Sequence, residues 1–206
     1  MKRIVAALGV VVLASAARAE TVGFNADAVG APPVGWQCGS TGGGAPRWTV
    51  ETDMDAPSRP NVLKQSGKAA FPWCVKQGTS MADGAIEVKF KPMTGREDQA
   101  GGLVWRWKDG DTYYVARANA LENNVSLYYV QRGNRVTLKY VDAPVPSNVW
   151  HSLRVEFHAT RIRVLLDGKA YIEQDDSHIV GPGAVGVWTK ADSVTAFDDF
   201  TYLPAP

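Results

Sequence analysis

His151-Ser152-Leu153-Arg154-Val155-Glu156-Phe157, followed closely by Ile162-Arg163-Val164-Leu165-Leu166-Asp167-Gly168-Lys169, decides the fold class. His151, Leu153, Val155 and Phe157 fall on one face, and Ser152, Arg154 and Glu156 on the other, because side chains alternate along a strand. Ile162, Val164 and Leu166 repeat the pattern, and Asp167-Gly168 is the kind of pair that closes a two-residue hairpin. Upstream, Ile86, Val88 and Phe90 alternate with Glu87, Lys89 and Lys91. Turn pairs recur at Asp83-Gly84, Asp109-Gly110 and Arg132-Gly133-Asn134, and no segment has a long helical period. Short strands divided by such turns predict an all-β sandwich or jelly roll.

Composition narrows the class. The chain has 206 residues with 20 Gly, 12 Pro, 7 Trp and 7 Tyr, which suits one turn-rich β domain. Its 22 basic and 21 acidic residues give no surplus for a nucleic-acid or membrane surface. Met1-Lys2-Arg3, the apolar run Ile4 to Ala14 and Ala17-Arg18-Ala19 follow the plan of a secretory signal, too short to span a bilayer. The expectation is a signal peptide over 1–19 and a single domain over 20–206, exported to the periplasm or secreted, with no membrane span and monomeric. Removing Lys2, Arg3 and Arg18 leaves a weakly acidic chain. Cys38 and Cys74 are the two cysteines, and an even pair in an oxidising compartment predicts one disulfide, the alternative being two separate buried thiols. Gly39 to Gly44 reads as a surface loop, and Trp36, Trp48 and Trp73 as either sugar-stacking platforms or core filler.

The middle of the chain allows register arithmetic. If Asp109-Gly110 closes a two-residue turn, Arg106 lies opposite Tyr113, Trp105 opposite Tyr114 and Val104 opposite Val115. A four-residue loop, Ala120 to Asn123, then sets Arg117 against Ser126, Val115 against Tyr128 and Tyr114 against Tyr129. Opposed residues share a face. Leu103, Trp105, Tyr114, Ala116, Leu127 and Tyr129 form a core face. Val104, Arg106, Tyr113, Val115, Arg117, Ser126 and Tyr128 form the other, with Asn119 and Glu122 at the corner. Flat rings beside planar donors suit a sugar, which offers apolar C–H faces and hydroxyls. A solvated face of cation–π and polar pairs is the other reading.

Several stretches carry a resemblance together. They are Asp98-Gln99-Ala100-Gly101-Gly102-Leu103-Val104-Trp105-Arg106, Asp111 to Asn119, Trp150 to Val155, Val164 to Gly168, Gly186-Val187-Trp188-Thr189-Lys190 and Phe197-Asp198-Asp199-Phe200. The chain resembles the concanavalin A-like (laminin G-like) jelly rolls of bacteria, and within them the exported 3-keto-disaccharide hydrolase-like domains, related in fold to laminarinase-type glycoside hydrolases. The resemblance implies two packed antiparallel sheets, one with a concave outer face bearing Arg106, Arg117 and Tyr128. It implies action on a saccharide or glycoside, with cleavage of 3-keto-glycosides as the chemistry. Arg106, Tyr113, Arg117, Asn119, Tyr128, Trp188 and Lys190 are the expected substrate-binding residues. It also implies calcium or another divalent metal at Asp199, where the first and last strands meet near Phe24 and Asn25.

The laminarinase-type enzymes carry Glu-x-Asp-x-Glu on one strand, which places two carboxylates for retaining catalysis. Glu51-Thr52-Asp53-Met54-Asp55 matches only the rhythm, ends in Asp and runs into Ala56-Pro57. A polar strand edge turning into a loop is the better reading, so that mechanism is not expected. Glu122 and Asp192 are the candidate catalytic acids, with Glu122 as a base and Lys190, Arg106 or Arg117 holding oxyanion charge. Asp198 and Asp199 are expected on opposite faces. His151, His158 and His178 lack zinc-ligand spacing, and no nucleophile elbow or phosphate-binding glycine loop is present. A non-catalytic glycan-binding or cell-envelope interaction module is the alternative function.

Overall fold

Alternation of apolar and polar side chains becomes pairing in the computed structural model, which describes residues 18–205; the expected signal sequence falls largely outside them. The strands are β1 (Glu20–Val22), β2 (Trp36–Ala45), β3 (Trp48–Thr52), β4 (Asn61–Gln65), β5 (Lys68–Met81), β6 (Gly84–Thr94), β7 (Ala100–Asp109) and β8 (Thr112–Asn119). They continue as β9 (Asn124–Gln131), β10 (Asn134–Asp142), β11 (His151–His158), β12 (Arg161–Leu166), β13 (Lys169–Asp175), β14 (Gly183–Trp188) and β15 (Val194–Pro204). One sheet runs β13-β12-β11-β6-β15-β4-β3 with β1 added beside β15, and the other runs β10-β9-β8-β7-β14-β5-β2. Every described pairing is antiparallel, as in β11 with β6, β12 with β13 and β8 with β9. No helix among the described residues is long and apolar enough to cross a membrane.

The main core lies between the sheets. Ile86, Val88 and Phe90 of β6 meet Leu103, Trp105, Tyr114, Ala116 and Leu127, with Leu153, Val155, Phe157, Ile162 and Val164 beside them. Trp36 and Trp48 are part of this core, which settles them as packing residues. Burial on this scale contributes roughly 25 cal/mol for each Å² of apolar surface removed from water. Asp167 and Gly168 both adopt positive φ (49° and 78°) and close the β12–β13 hairpin as the pair requires.

Gly39 to Gly44 is not a loop. It belongs to β2 and pairs with β5 through a register shift between Thr41 and Gly44. Cys38 stands directly opposite Cys74 in that ladder, and the two form a disulfide with Cα atoms 4.0 Å apart. Gly39 is required because a Cβ there would lie 2.7 Å from the Trp73 ring.

The first hairpin departs from its expected register. Val104 pairs with Val115 and Trp105 with Tyr114, but Asp109 pairs with Thr112, so Gly110 and Asp111 form the turn. Asp109 Oδ1 accepts a bond from Asp111 N at 2.9 Å, which favours that turn. The mismatch is absorbed between Trp105 and Asp109, where Arg106 takes φ 46°. That bulge re-aims Arg106 away from Tyr113 and into the molecule. Its guanidinium donates to Ala82 O at 2.9 Å, Ile179 O at 3.0 Å and Ala159 O at 2.6 Å, and lies 5.8 Å from the Phe157 ring centroid. Arg106 therefore ties three loops to the core and is not part of the second face.

Two outcomes follow. Arg106→Met strands three carbonyls and lowers stability by about 3 kcal/mol or more in denaturant titration; an unchanged midpoint contradicts the assignment. Cys38→Ala, or reduction, removes about 3–4 kcal/mol and lowers the melting temperature, since the loop closed is long; equal melting with and without reductant contradicts it.

Candidate functional site

The outer face of the seven-stranded sheet carries a second apolar cluster: Trp73, Val75, Val104, Tyr113, Val115, Tyr128, Val130 and Trp188, with Phe71 and Trp107 packed against it. Alternation along β7, β8 and β9 puts these side chains opposite those of the main core. Curvature explains how they are buried. β2 and β8 are four spacings apart in the sheet order, about 19 Å if it were flat. Thr41 Oγ1 of β2 nevertheless lies 2.7 Å from the Tyr113 hydroxyl and also donates to Gly110 O. The sheet is therefore rolled, with this face inside.

Rolling removes several expected contact residues from reach. Tyr113 and Trp188 are fully buried, and Tyr128 is nearly so. Burial raises the Tyr113 hydroxyl above its usual value, partly offset by its bond to Thr41. A sugar on the native surface cannot touch these rings directly. They form the floor of the face.

Beside the floor, β8, β9 and the loops before β7 and after β14 converge on Asp98, which is fully buried. Arg117 Nη1 donates to Asp98 Oδ1 at 3.3 Å, Asn119 Nδ2 donates to the same oxygen, and Lys190 Nζ donates to Oδ2. Burial pushes the Asp98 carboxyl up, while Lys190 and Arg117 pull it back. Arg117 Nη2 also donates to Glu122 and, at 3.1 Å, to Asn124 Oδ1. Asn124 Nδ2 in turn donates to Glu122 Oε2 at 2.8 Å and to the Tyr140 hydroxyl at 2.7 Å. Burial alone would raise Glu122, but the Asn124 bond and the Arg117 charge leave it below the usual carboxylate value.

The structure thus brings Arg117, Asn119, Glu122 and Lys190 together around Asp98. The second hairpin has the expected register, with Arg117 opposite Ser126 and Asn119 opposite Asn124, and this register places the cluster. Glu122 and Lys190 reach solvent, with 38% and 26% of their side chains exposed, and so does Tyr140 at 50%. Asp192 has a different task. Its carboxylate accepts the backbone N–H of Arg96, Glu97 and Asp98 at 2.8, 3.0 and 3.2 Å, which outweighs burial and lowers its pKa. It anchors the segment that delivers Asp98.

Asp98, Phe71 and Arg135 were missed from the sequence as members of the face. Arg135 lies over three of its rings, 4.8 Å from the Phe71 centroid, 4.3 Å from Tyr128 and 5.9 Å from Trp188. The Arg132-Gly133 turn held the signal, because it sets Arg135 opposite Val130, on the face of Tyr128.

Elsewhere, Glu51 pairs with Lys64 at 2.9 Å and Asp53 with Lys91 at 2.6 Å on the outer side of the other sheet, away from this cluster. Asp198 and Asp199 are not on opposite faces. A bulge between Asp198 and Thr201, with Asp199 at φ 46°, sets them side by side. Both Asp198 oxygens are engaged, by Ser58 N at 2.7 Å, Ser58 Oγ at 2.6 Å and Asp199 N at 2.8 Å. Burial and the Asp198 charge raise the Asp199 carboxyl. Among the described residues no three His, Cys, Asp or Glu gather as a metal-ligand group, so a cation at Asp199 would depend on that carboxylate and backbone carbonyls.

No protein-family model matches the sequence, and no curated protein matches it. Solved structures do. The carbohydrate binding module CBM66 from Bacillus subtilis aligns at TM-score 0.65 with 19% identity, over 81% of this chain and 94% of that one. A Bacillus licheniformis β-glucanase aligns at 0.57 with 14% identity, over 94% and 100%. A Bacteroides ovatus mixed-linkage glucan GH16 protein aligns at 0.59 with 10% identity, over 90% and 99%. The chain is similar to these proteins in its concanavalin A-like jelly roll, two antiparallel sheets with no helix among the described residues, and at such identities the likeness is one of fold.

Proposed function

We propose that the protein is saccharide-directed and that its site is the rim of the rolled face: Phe71, Arg135, Tyr140, Glu122 and Lys190. The observation that carries this is the junction of an aromatic surface with a pre-ordered polar cluster. Phe71, stacked on Trp188, is only part-buried, while Arg117 and Asn124 hold Glu122 in place and Asp98 holds Lys190. Sugars need this pairing of apolar face and directed polar groups. The neighbours include a carbohydrate binding module and glucanases, which supports the same reading. The disulfide suits an exported protein.

A second reading, cleavage of 3-keto-glycosides, is favoured by one feature. Glu122 is exposed and held ionised beside the Lys190 ammonium. Glu122 would take the proton from the carbon between the ketone and the anomeric centre. The electron pair then forms the ring double bond, the bond to the leaving oxygen breaks, and that oxygen takes a proton from solvent. Lys190 would hold the developing enolate charge. Binding without cleavage is the simpler function, because the other acid of the cluster, Asp98, is buried.

Ligand-observed NMR with a panel of disaccharides and their 3-keto forms tests both readings. Phe71→Ala should weaken binding about tenfold, and an unaffected affinity contradicts the rim site. Any turnover should vanish in Glu122→Gln while binding persists; turnover that survives removes Glu122 as the base. Calcium at Asp199 is a separate proposal resting on that carboxylate and backbone carbonyls near it, and a melting curve unchanged by chelation removes it.

A further inference from the structure

Arg135 differs from Arg117 and Arg106 in having no carboxylate partner among the described residues. Arg117 is matched by Asp98 and Glu122, and Arg106 by Asp83 and three carbonyls. Arg135 lies against Phe71, Tyr128 and Trp188, yet its Nη1 is buried without a hydrogen-bond partner. No carboxylate among the described residues pairs with it. Of the charged groups acting on it, Arg117 is a second cation and Asp98 is already engaged by three donors. Arg117 and Arg135 also share one ring, with Arg117 5.6 Å and Arg135 4.3 Å from the Tyr128 centroid.

A half-buried cation with an unpaired donor is costly, and aromatic contact recovers only part of that cost. Stacking on rings uses the faces of the guanidinium, and with Nη1 buried it is the Nε–Nη2 edge, bonded to no group of the described residues, that remains for a planar acceptor. A carboxylate fits that edge with two parallel bonds. It would also relieve the repulsion between Arg135 and Arg117.

We propose that Arg135 is a carboxylate subsite, so that the saccharide taken at this rim is an acidic one carrying a uronic acid unit. This rests on the saccharide reading above and adds a charge requirement to it. The sugar ring would sit beside Phe71 while Arg135 takes its carboxylate.

The test compares binding of digalacturonate and cellobiuronic acid with the neutral disaccharides of the same linkages, by saturation-transfer NMR and titration. The expected result is an acidic ligand held about 10- to 100-fold tighter than its neutral counterpart, with the preference lost in Arg135→Met. Arg135→Lys keeps the charge and loses the fork, and should keep only part of the preference. Should Arg135→Met fail to fold, the lysine variant decides, and an unreduced preference overturns the proposal. Neutral disaccharides bound as tightly as acidic ones also overturn it, leaving the saccharide reading intact and Arg135 as a latch over the rings. If neither set binds, both readings fall.

Discussion

The roll of the seven-stranded sheet governs the rest of the molecule's outer surface. β10 and β5 are five spacings apart in the sheet order, about 24 Å on a flat sheet. Arg135 of β10 nonetheless meets the Phe71 ring of β5 at 4.8 Å. Twist and bulges allow such curling, and this sheet has bulges in β2, β5, β7 and β10. One consequence is a second, smaller core on the face turned away from the other sheet. Another is that ligand contact passes from the floor of the face to its rim.

The buried Asp98 is the polar counterpart of that constraint. A carboxylate removed from water costs several kcal/mol unless it is fully bonded. Here donors from β8 and the loop after β14 supply the bonds, and Asp192 fixes the backbone from the far side. Such a charge adds little net stability, but it leaves few arrangements open to Arg117, Asn119 and Lys190. Glu122 inherits that order through Arg117 and Asn124.

What the sequence disclosed followed from period and turn chemistry. The fold class, the pairing of β8 with β9, the core positions of β6, β11 and β12, and the partnership of Cys38 with Cys74 were all legible. Failures came where one residue changes hand. Arg106 and Asp199 both take positive φ at bulges, and each then points where strict alternation does not put it. Tyr113 and Tyr128 had the right face and the wrong exposure, because alternation assigns a face without reporting how far a sheet curls. Gly39 to Gly44 was read by composition as a loop, although the absence of side chains there lets a strand pass close over Trp73. Arg135 was within reach, since the arithmetic that placed Tyr128 extends through the next turn.

The most direct test of the rim site is an amide and side-chain chemical-shift map of the labelled protein titrated with a disaccharide that binds. The account predicts shifts grouped at Phe71, Arg135, Tyr140, Glu122 and Lys190, with little change around Glu51, Asp53 and Lys91 on the opposite sheet. Shifts grouped at those residues of the opposite sheet, with the rim silent, would contradict it.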